Sequence, residues 1–197
     1  MKILCLYNNR CAVPLFQWLR EKGHETFLCS TQLTKTFTQE LTFDLVVSYT
    51  YRYFIPEELL QAFHFNVVNL HNSFLPWNRG ADPNLWSIVD DCPRGVTLHY
   101  MSSGLDKGDI IVQRLVPLSS KDTLKTSYDA LDKAAQEQFQ DAFRWYQDWP
   151  QMRKAAIGKG SYHSIKDGEF LHQIIDSYDM PAKEFRKLVK RQMAGYL

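Results

Sequence analysis

The sequence has little of what marks a membrane, secreted or nucleic-acid-binding protein. Its 197 residues contain no apolar run near the roughly 18 residues of a transmembrane helix, and the first residues lack a signal-peptide core. The 23 basic and 22 acidic residues leave a net charge of +1, without the basic excess typical of proteins that bind phosphate backbones. We therefore predict a cytoplasmic protein whose partners include neither a membrane nor a nucleic acid.

Motifs for metal, disulfide and dinucleotide binding are missing as well. The four cysteines form no CxxC pair, and Cys5 and Cys29 lie in apolar stretches, which favours buried reduced thiols over a zinc site. The segment after the first predicted strand reads YNNR and contains no glycine, so it is not a GxGxxG phosphate cradle. We therefore predict no metal site and no dinucleotide-binding Rossmann enzyme.

Apolar runs and helical patterns alternate along the first part of the chain. Strands are predicted over residues 2–7, 24–30, 45–47 and 65–70, and helices over 12–22 and 56–63. Continuous apolar strands that alternate with helices predict an α/β fold, with a mostly parallel twisted sheet and helices on both faces.

The rest of the chain adds strands, a long helix and a helical tail. Further strands are predicted over 95–101 and 110–116, and an amphipathic helix covers 122–147. Two short helical patterns follow an irregular stretch with several Pro and Gly residues. We predict a catalytic domain over 1–150 and a C-terminal loop and helical extension over 151–197.

Polar side chains follow the fourth predicted strand, at the sheet edge where α/β proteins bind ligands. Asn69 and His71 are two residues apart in an extended segment and therefore point to the same side. With a carboxylate from a distant loop, such as Asp106, an amide and an imidazole can form an acyl-transfer site. His99 alternates with Thr97 in a predicted strand, and we interpret it as a histidine packed within that strand or, alternatively, on the cofactor side.

Two sequence blocks resemble the folate-dependent formyltransferase family. Residues 69–81 read NLHNSFLPWNRGA and are similar to the family signature N-x-H-x-S-x-L-P-x-x-R-G-A. Residues 95–101 read GVTLHYM, and 104–111 read GLDKGDII, which together are similar to the second block of that family. The blocks occur in the family order, and the resemblance is good over roughly residues 44–130 and looser over residues 1–43.

The resemblance implies a fold, a formyl donor and a set of site residues. The fold is the Rossmann-like formyltransferase fold, the donor is 10-formyltetrahydrofolate, and the catalytic residues are Asn69, His71 and Asp106. The pterin is recognised largely through backbone groups of two segments, Tyr51, Arg52, Tyr53, Phe54 and Ile55, and Ser102, Ser103, Gly104 and Leu105. The substrate-binding residues that we predict on neighbouring loops are Asn9, Arg10, Trp77, Asn78, Arg79 and Gly80.

The acceptor class follows from a comparison of family branches. Glycinamide ribonucleotide formyltransferases have a glycine-rich loop after the first strand, which this sequence lacks. Methionyl-tRNA formyltransferases add a C-terminal domain after the catalytic domain, whereas this chain stops at Leu197. Both observations disfavour these two branches. Residues 77–87 and 160–167 are similar to the sugar-nucleotide N-formyltransferases. We predict formyl transfer to the primary amine of a nucleotide-linked amino-deoxy sugar. Several alternatives stay open: transfer to either of the other two acceptors, a formyl hydrolase, and a catalytically silent folate-binding relative. A homodimer also stays open.

Overall fold

The structure, a computed structural model, describes residues 1–35, 37 and 42–195. Its strands are β1 (Lys2–Leu6), β2 (Glu25–Cys29), β3 (Leu45–Tyr49), β4 (Val67–His71), β5 (Arg79–Gly80), β6 (Gly95–Tyr100), β7 (Ile110–Leu115) and β8 (Tyr162–His163). Its helices are α1 (Val13–Glu21), α2 (Glu57–Ala62), α3 (Pro83–Asp90), α4 (Leu124–Phe143), α5 (Trp149–Met152), α6 (Ile165–Ile174) and α7 (Ala182–Met193).

A six-stranded sheet in the order β2-β1-β3-β4-β6-β7 organises the fold. The strands β1 to β4 are all parallel, as predicted from their continuous apolar runs. The backbone N–H of Met101, just after β6, donates to the carbonyl of Val67, the first residue of β4. The end of β6 thus lies beside the beginning of β4, so β6 runs opposite to the parallel strands and the sheet is mixed. The predicted α/β fold with helices on both sides is confirmed.

The chain forms two compact units. The first contains the described residues of Met1–His71, Leu98–Val112 and Phe139–Ala156. The second contains Asn72–Thr97, Gln113–Gln138 and the described residues from Ile157 onward. The chain returns to each unit more than once, and the domain boundary at residue 150 stays a prediction. The last two residues of the predicted extension, 196 and 197, lie outside the described residues.

The first unit owes its core to the sheet and the helices around it. In α1 the apolar side chains of Leu15, Phe16 and Leu19 are buried, because they share one face of the helix. Gly23 follows with φ +84°, a left-handed conformation that ends the helix before β2. A cluster between β1, β3 and α2 includes Leu4 and Leu60, both fully buried. This packing fixes the ends of β1, β3 and β4, where the predicted site residues begin.

The second unit packs α3 against the C-terminal helices. Trp86 of α3 is buried in a cluster with Leu171 of α6 and Phe185 of α7. The helix predicted over 122–147 runs over Leu124–Phe143, with a short 3-10 turn at Tyr146–Asp148. The stretch after it, predicted as irregular, contains α5, which belongs to the first unit, and the two-residue strand β8 of the second unit, which pairs in parallel with β5. Neither short element has enough residues to produce a sequence period.

Candidate active site

The end of β4 presents two of the predicted catalytic side chains. Apolar residues of this strand, Val67, Val68 and Leu70, are buried and set its direction. Asn69 is half-buried, and His71 is 8% exposed at the last position of the strand. Because side chains alternate along a strand, the amide and the imidazole project on the same side of the sheet, as predicted.

The loop between β6 and β7 brings Asp106 to this pair. Asp106 has φ +50°, a left-handed conformation that aspartate tolerates better than most residues. Its side chain is 9% exposed, and its Oδ2 lies 3.6 Å from Nε2 of His71. The structure therefore brings together Asn69, His71 and Asp106, although they come from separate parts of the sequence.

A second histidine, His99 of β6, completes the cluster. Its Nε2 lies 3.7 Å from Oδ1 of Asp106, so the carboxylate faces both imidazoles. Its Nδ1 lies 2.8 Å from the carbonyl oxygen of Tyr100 and must donate, because a carbonyl only accepts. In neutral His99, Nε2 is then an acceptor, and Nδ2 of Asn69 at 3.3 Å donates to it.

Burial keeps His99 neutral. The ring is 1% exposed, and burial lowers its pKa from 6.5 to about 4, against the opposing effect of the Asp106 carboxylate. His99 therefore carries no proton on Nε2 near neutral pH and holds the Asn69 amide in one orientation. The sequence interpretation of His99 as a packed strand histidine describes its burial and misses this contact with Asn69.

The predicted donor-binding segments differ in exposure. Tyr51 uses its hydroxyl to donate to the carbonyl of Thr31 and to accept from the N–H of Leu33, and Ile55 is 1% exposed in the core. Phe54 and Leu105, one from each segment, are 56% and 43% exposed. Both segments thus expose one apolar side chain to solvent, and in the first segment the exposed Phe54 lies between residues that are held in place, Tyr51 and Ile55.

The loop after β1 contains the predicted substrate residues Asn9 and Arg10. Asn9 accepts from the N–H of Cys11 through its side chain at 3.1 Å and so begins a 3-10 turn that includes Arg10. A cavity of about 570 Å³ opens beside this turn. Its lining residues are Tyr7, Asn8, Arg10, Val13, Pro14 and Ser30.

Comparison with known proteins decides the family. A family model described as formyl transferase matches residues 12–143, about two thirds of the chain. The chain belongs to the formyl transferase family. The matched region contains every member of the polar cluster, Asn69, His71, His99 and Asp106.

Solved structures extend the likeness over almost the whole chain. The chain is 37% identical to the formyltransferase PseJ from Anoxybacillus kamchatkensis, solved in complex with UDP-4,6-dideoxy-4-formamido-L-AltNAc and tetrahydrofolate. The alignment covers 94% of this chain and 97% of that chain, with a TM-score of 0.84. A 4-N formyltransferase from Francisella tularensis shares the fold, with a TM-score of 0.74, 24% identity and coverage of 86% of this chain and 78% of that chain.

Curated relatives match a shorter region. The methionyl-tRNA formyltransferase of Listeria welshimeri is 34% identical over 131 residues, which is 66% of this chain and 39% of that protein. The chain therefore spans about two fifths of the length of this relative.

The predicted substrate residues of the second unit are tied to the C-terminal part of this formyl transferase chain. The N–H of Asn78 donates to Oγ of Ser161 at 2.8 Å, and the N–H of Arg79 donates to the Ser161 carbonyl at 3.1 Å. Asn78 is fully buried, whereas Trp77 is 37% exposed. A side chain at Gly80 would collide with the carbonyl oxygen of His163, which explains the glycine at this close approach. Sequence reasoning missed this strand pairing between β5 and β8.

The described part of the chain contains neither a metal-binding group of side chains nor a membrane-spanning helix. Across residues 1–35, 37 and 42–195, no three His, Cys, Asp or Glu side chains form a group that could hold a metal ion. None of the helices within these described ranges is long and apolar enough to cross a membrane.

Proposed function

We propose that this protein is an N-formyltransferase that moves the formyl group of 10-formyltetrahydrofolate to a primary amine of a nucleotide-linked amino-deoxy sugar. The observation that carries the proposal is the likeness to PseJ, at 37% identity over nearly the full length of both chains. The PseJ complex contains a nucleotide-linked formamido sugar together with tetrahydrofolate, which are a formylated acceptor and a deformylated donor.

The donor-binding segments fit a planar, partly apolar ligand. Phe54 and Leu105 expose apolar surface on the two segments, and burial of such surface favours binding of aromatic rings. Residues 51–55 and 102–105 would hold the folate, partly through backbone groups. When bound, the folate supplies an activated formyl group to an attacking amine.

Asn69 and His71 are suited to stabilise the charge that develops on an oxygen in acyl transfer. One hydrogen of the Asn69 amide bonds to Nε2 of His99, and the second is available to a substrate oxygen. His71 projects on the same side of β4 and supplies a second polar contact to that oxygen. Hydrogen-bond donors that are fixed before the reaction stabilise the developing charge far more than mobile donors do, because they need no reorganisation.

Proton transfer falls to His71 and Asp106. Formation of the new carbon–nitrogen bond requires loss of one proton from the acceptor amine, and cleavage of the carbon–nitrogen bond to the donor requires one proton on the departing nitrogen. His71, whose Nε2 lies 3.6 Å from Oδ2 of Asp106, would carry this proton from one nitrogen to the other. Because burial keeps His99 neutral at physiological pH, we assign the exchangeable proton to His71. Asp106 orients the His71 ring.

The loop after β1 is suited to hold a nucleotide diphosphate. Arg10 offers a guanidinium at the rim of the 570 Å³ cavity, and guanidinium groups bind phosphate oxygens in a bidentate manner. The cavity is large enough for part of a nucleotide sugar.

A second candidate acceptor is charged initiator tRNA, favoured by the 34% identity to a methionyl-tRNA formyltransferase over 131 residues. A net charge of +1 is a poor match for a long phosphate backbone. The sugar nucleotide therefore stays the main proposal.

An assay with parallel acceptors tests the proposal. The protein is incubated with 10-formyltetrahydrofolate and, separately, a UDP-linked 4-amino sugar, glycinamide ribonucleotide and charged initiator tRNA, and products are measured by mass spectrometry. The His71→Ala variant serves as the control for uncatalysed formylation. We expect formylation of the amino sugar only. Formylation of the tRNA alone, falling steeply with salt, would contradict the proposal.

A further inference from the structure

Two polar side chains connect the loop after β1 with the loop after β3. Oδ1 of Asn8 accepts from the backbone N–H of Arg52 at 2.9 Å, and Nδ2 of Asn8 donates to the carbonyl of Ser30 at 2.7 Å. Oγ1 of Thr50 accepts from the backbone N–H of Asn9 at 3.0 Å. The first loop contains two of the predicted substrate residues, Asn9 and Arg10, and the second begins the predicted donor-binding segment.

The backbone of Thr50 is strained. Its φ of +63° lies in the left-handed region, where a β-branched residue is an outlier and glycine is the residue that fits without cost. The Thr50 hydroxyl contacts the backbone of the loop after β1 at both Asn8 and Asn9. Such strain persists only where surrounding contacts enforce it, and it is concentrated at functional sites.

We propose that Asn8 and Thr50 are positioning residues that hold the donor-binding and acceptor-binding loops in one fixed arrangement. This inference depends on the proposed function, since it assigns the two loops to the two substrates. Asn8 fixes the N–H of Arg52, and with it the start of a segment whose backbone is expected to recognise the pterin. Thr50 fixes Asn9, the residue before Arg10.

The arrangement predicts a joint effect on both substrates. Loss of the Thr50 hydroxyl removes its contacts with the loop after β1 and leaves Asn8 as the remaining connection. The two loops are then held less firmly, so each substrate must order more of its own loop when it binds. We expect Thr50→Val to raise KM for the folate and KM for the sugar nucleotide by about fivefold each, the effect of one neutral hydrogen bond. The value of kcat should change less, because neither residue belongs to the cluster around His71.

Three further variants separate positioning from stability. Thr50→Ser keeps the hydroxyl and should restore both KM values. Thr50→Gly removes the hydroxyl and also relieves the backbone strain, so its melting temperature should equal or exceed that of the wild type while both KM values rise. Thr26→Val is the matched control, because among the described residues the Thr26 hydroxyl has its side-chain hydrogen bond with Arg20, away from both loops.

Steady-state kinetics with 10-formyltetrahydrofolate and the sugar nucleotide, together with calorimetric binding of tetrahydrofolate, test the inference. Raised KM values in Thr50→Val and Thr50→Gly, with rescue in Thr50→Ser and no change in Thr26→Val, support it. Wild-type KM values in Thr50→Gly, or a rise for one substrate alone, would overturn the inference and leave the proposed function intact. A wild-type protein that neither binds tetrahydrofolate nor formylates the sugar would overturn the proposed function and this inference with it.

Discussion

Replacement of His99 by glutamine tests whether a neutral, buried imidazole orients the amide of Asn69. The ring is 1% exposed, donates through Nδ1 to the Tyr100 carbonyl and accepts through Nε2 from Asn69. Glutamine can still accept a hydrogen bond from Asn69, but it cannot be protonated in the accessible pH range. The variant therefore removes the titration of this group and keeps part of its contact.

The size of the effect follows from the two pKa values. In the unfolded chain the imidazole binds a proton below about pH 6.5, whereas burial lowers the pKa of folded His99 to about 4. Between these values the unfolded state binds more protons, so the free energy of unfolding rises with pH. At about 1.36 kcal/mol per pKa unit, the contribution is on the order of 3 kcal/mol. It is fully present above pH 6.5 and is lost as the pH falls to 4.

Urea denaturation at pH 7.0, 5.5 and 4.5 measures this contribution. The wild type should lose stability more steeply than His99→Gln as the pH falls, and the difference between the two should shrink or change sign. Thr97→Val removes a buried hydroxyl and no titratable group, so it controls for destabilisation alone. A difference between wild type and His99→Gln that is the same at all three pH values would refute the reasoning. So would a nitrogen chemical shift that shows protonated His99 at pH 6.

Three further predictions concern the catalytic pair, the loop after β4 and the donor segments. His71→Ala and Asp106→Ala should each lower kcat by at least about 100-fold, and the double variant should be little worse, because the two act as one unit; multiplied losses would argue against a shared role. Thr97→Val should lower the free energy of unfolding by about 1–3 kcal/mol. The buried Thr97 hydroxyl donates to one backbone carbonyl and accepts from two N–H groups, and valine can make none of these hydrogen bonds. An unchanged urea denaturation curve would contradict this prediction. Phe54→Ser and Leu105→Ser should raise KM for the folate without loss of thermal stability, because both side chains are exposed; an unchanged KM would remove these segments from the donor site.

Local patterns predicted the regular part of the fold. The apolar run over residues 45–47, from which the third strand is predicted, is fully buried in β3. The direction of β6 has no such signal. The direction of β6 is set by its pairing with β4. This pairing is seen in the hydrogen bond between Met101 and Val67, which are distant in sequence.

The role of His99 could not be predicted for the same physical reason. A buried histidine in a strand looks identical in sequence whether its ring packs passively or bonds to a neighbour. Its partner Asn69 is 30 residues away, and only the pairing of β4 with β6 brings them together. Asn69 and His71 were accessible to prediction because their spacing on one strand fixes their relative direction without any knowledge of tertiary structure.

The polar cluster and the residues that contact the predicted substrate loop come from different parts of the chain. The family match over residues 12–143 includes the whole polar cluster, so membership in the formyl transferase family accounts for Asn69, His71 and Asp106. Ser161 and His163 lie beyond that match, and they pair with Arg79 and Gly80 of the predicted substrate loop. A relative that shares only the matched region can therefore share the polar cluster and still differ in the residues that contact the predicted substrate loop. This is why the likeness to PseJ, which continues through this later segment, carries more weight for the acceptor than a comparable identity over 131 residues.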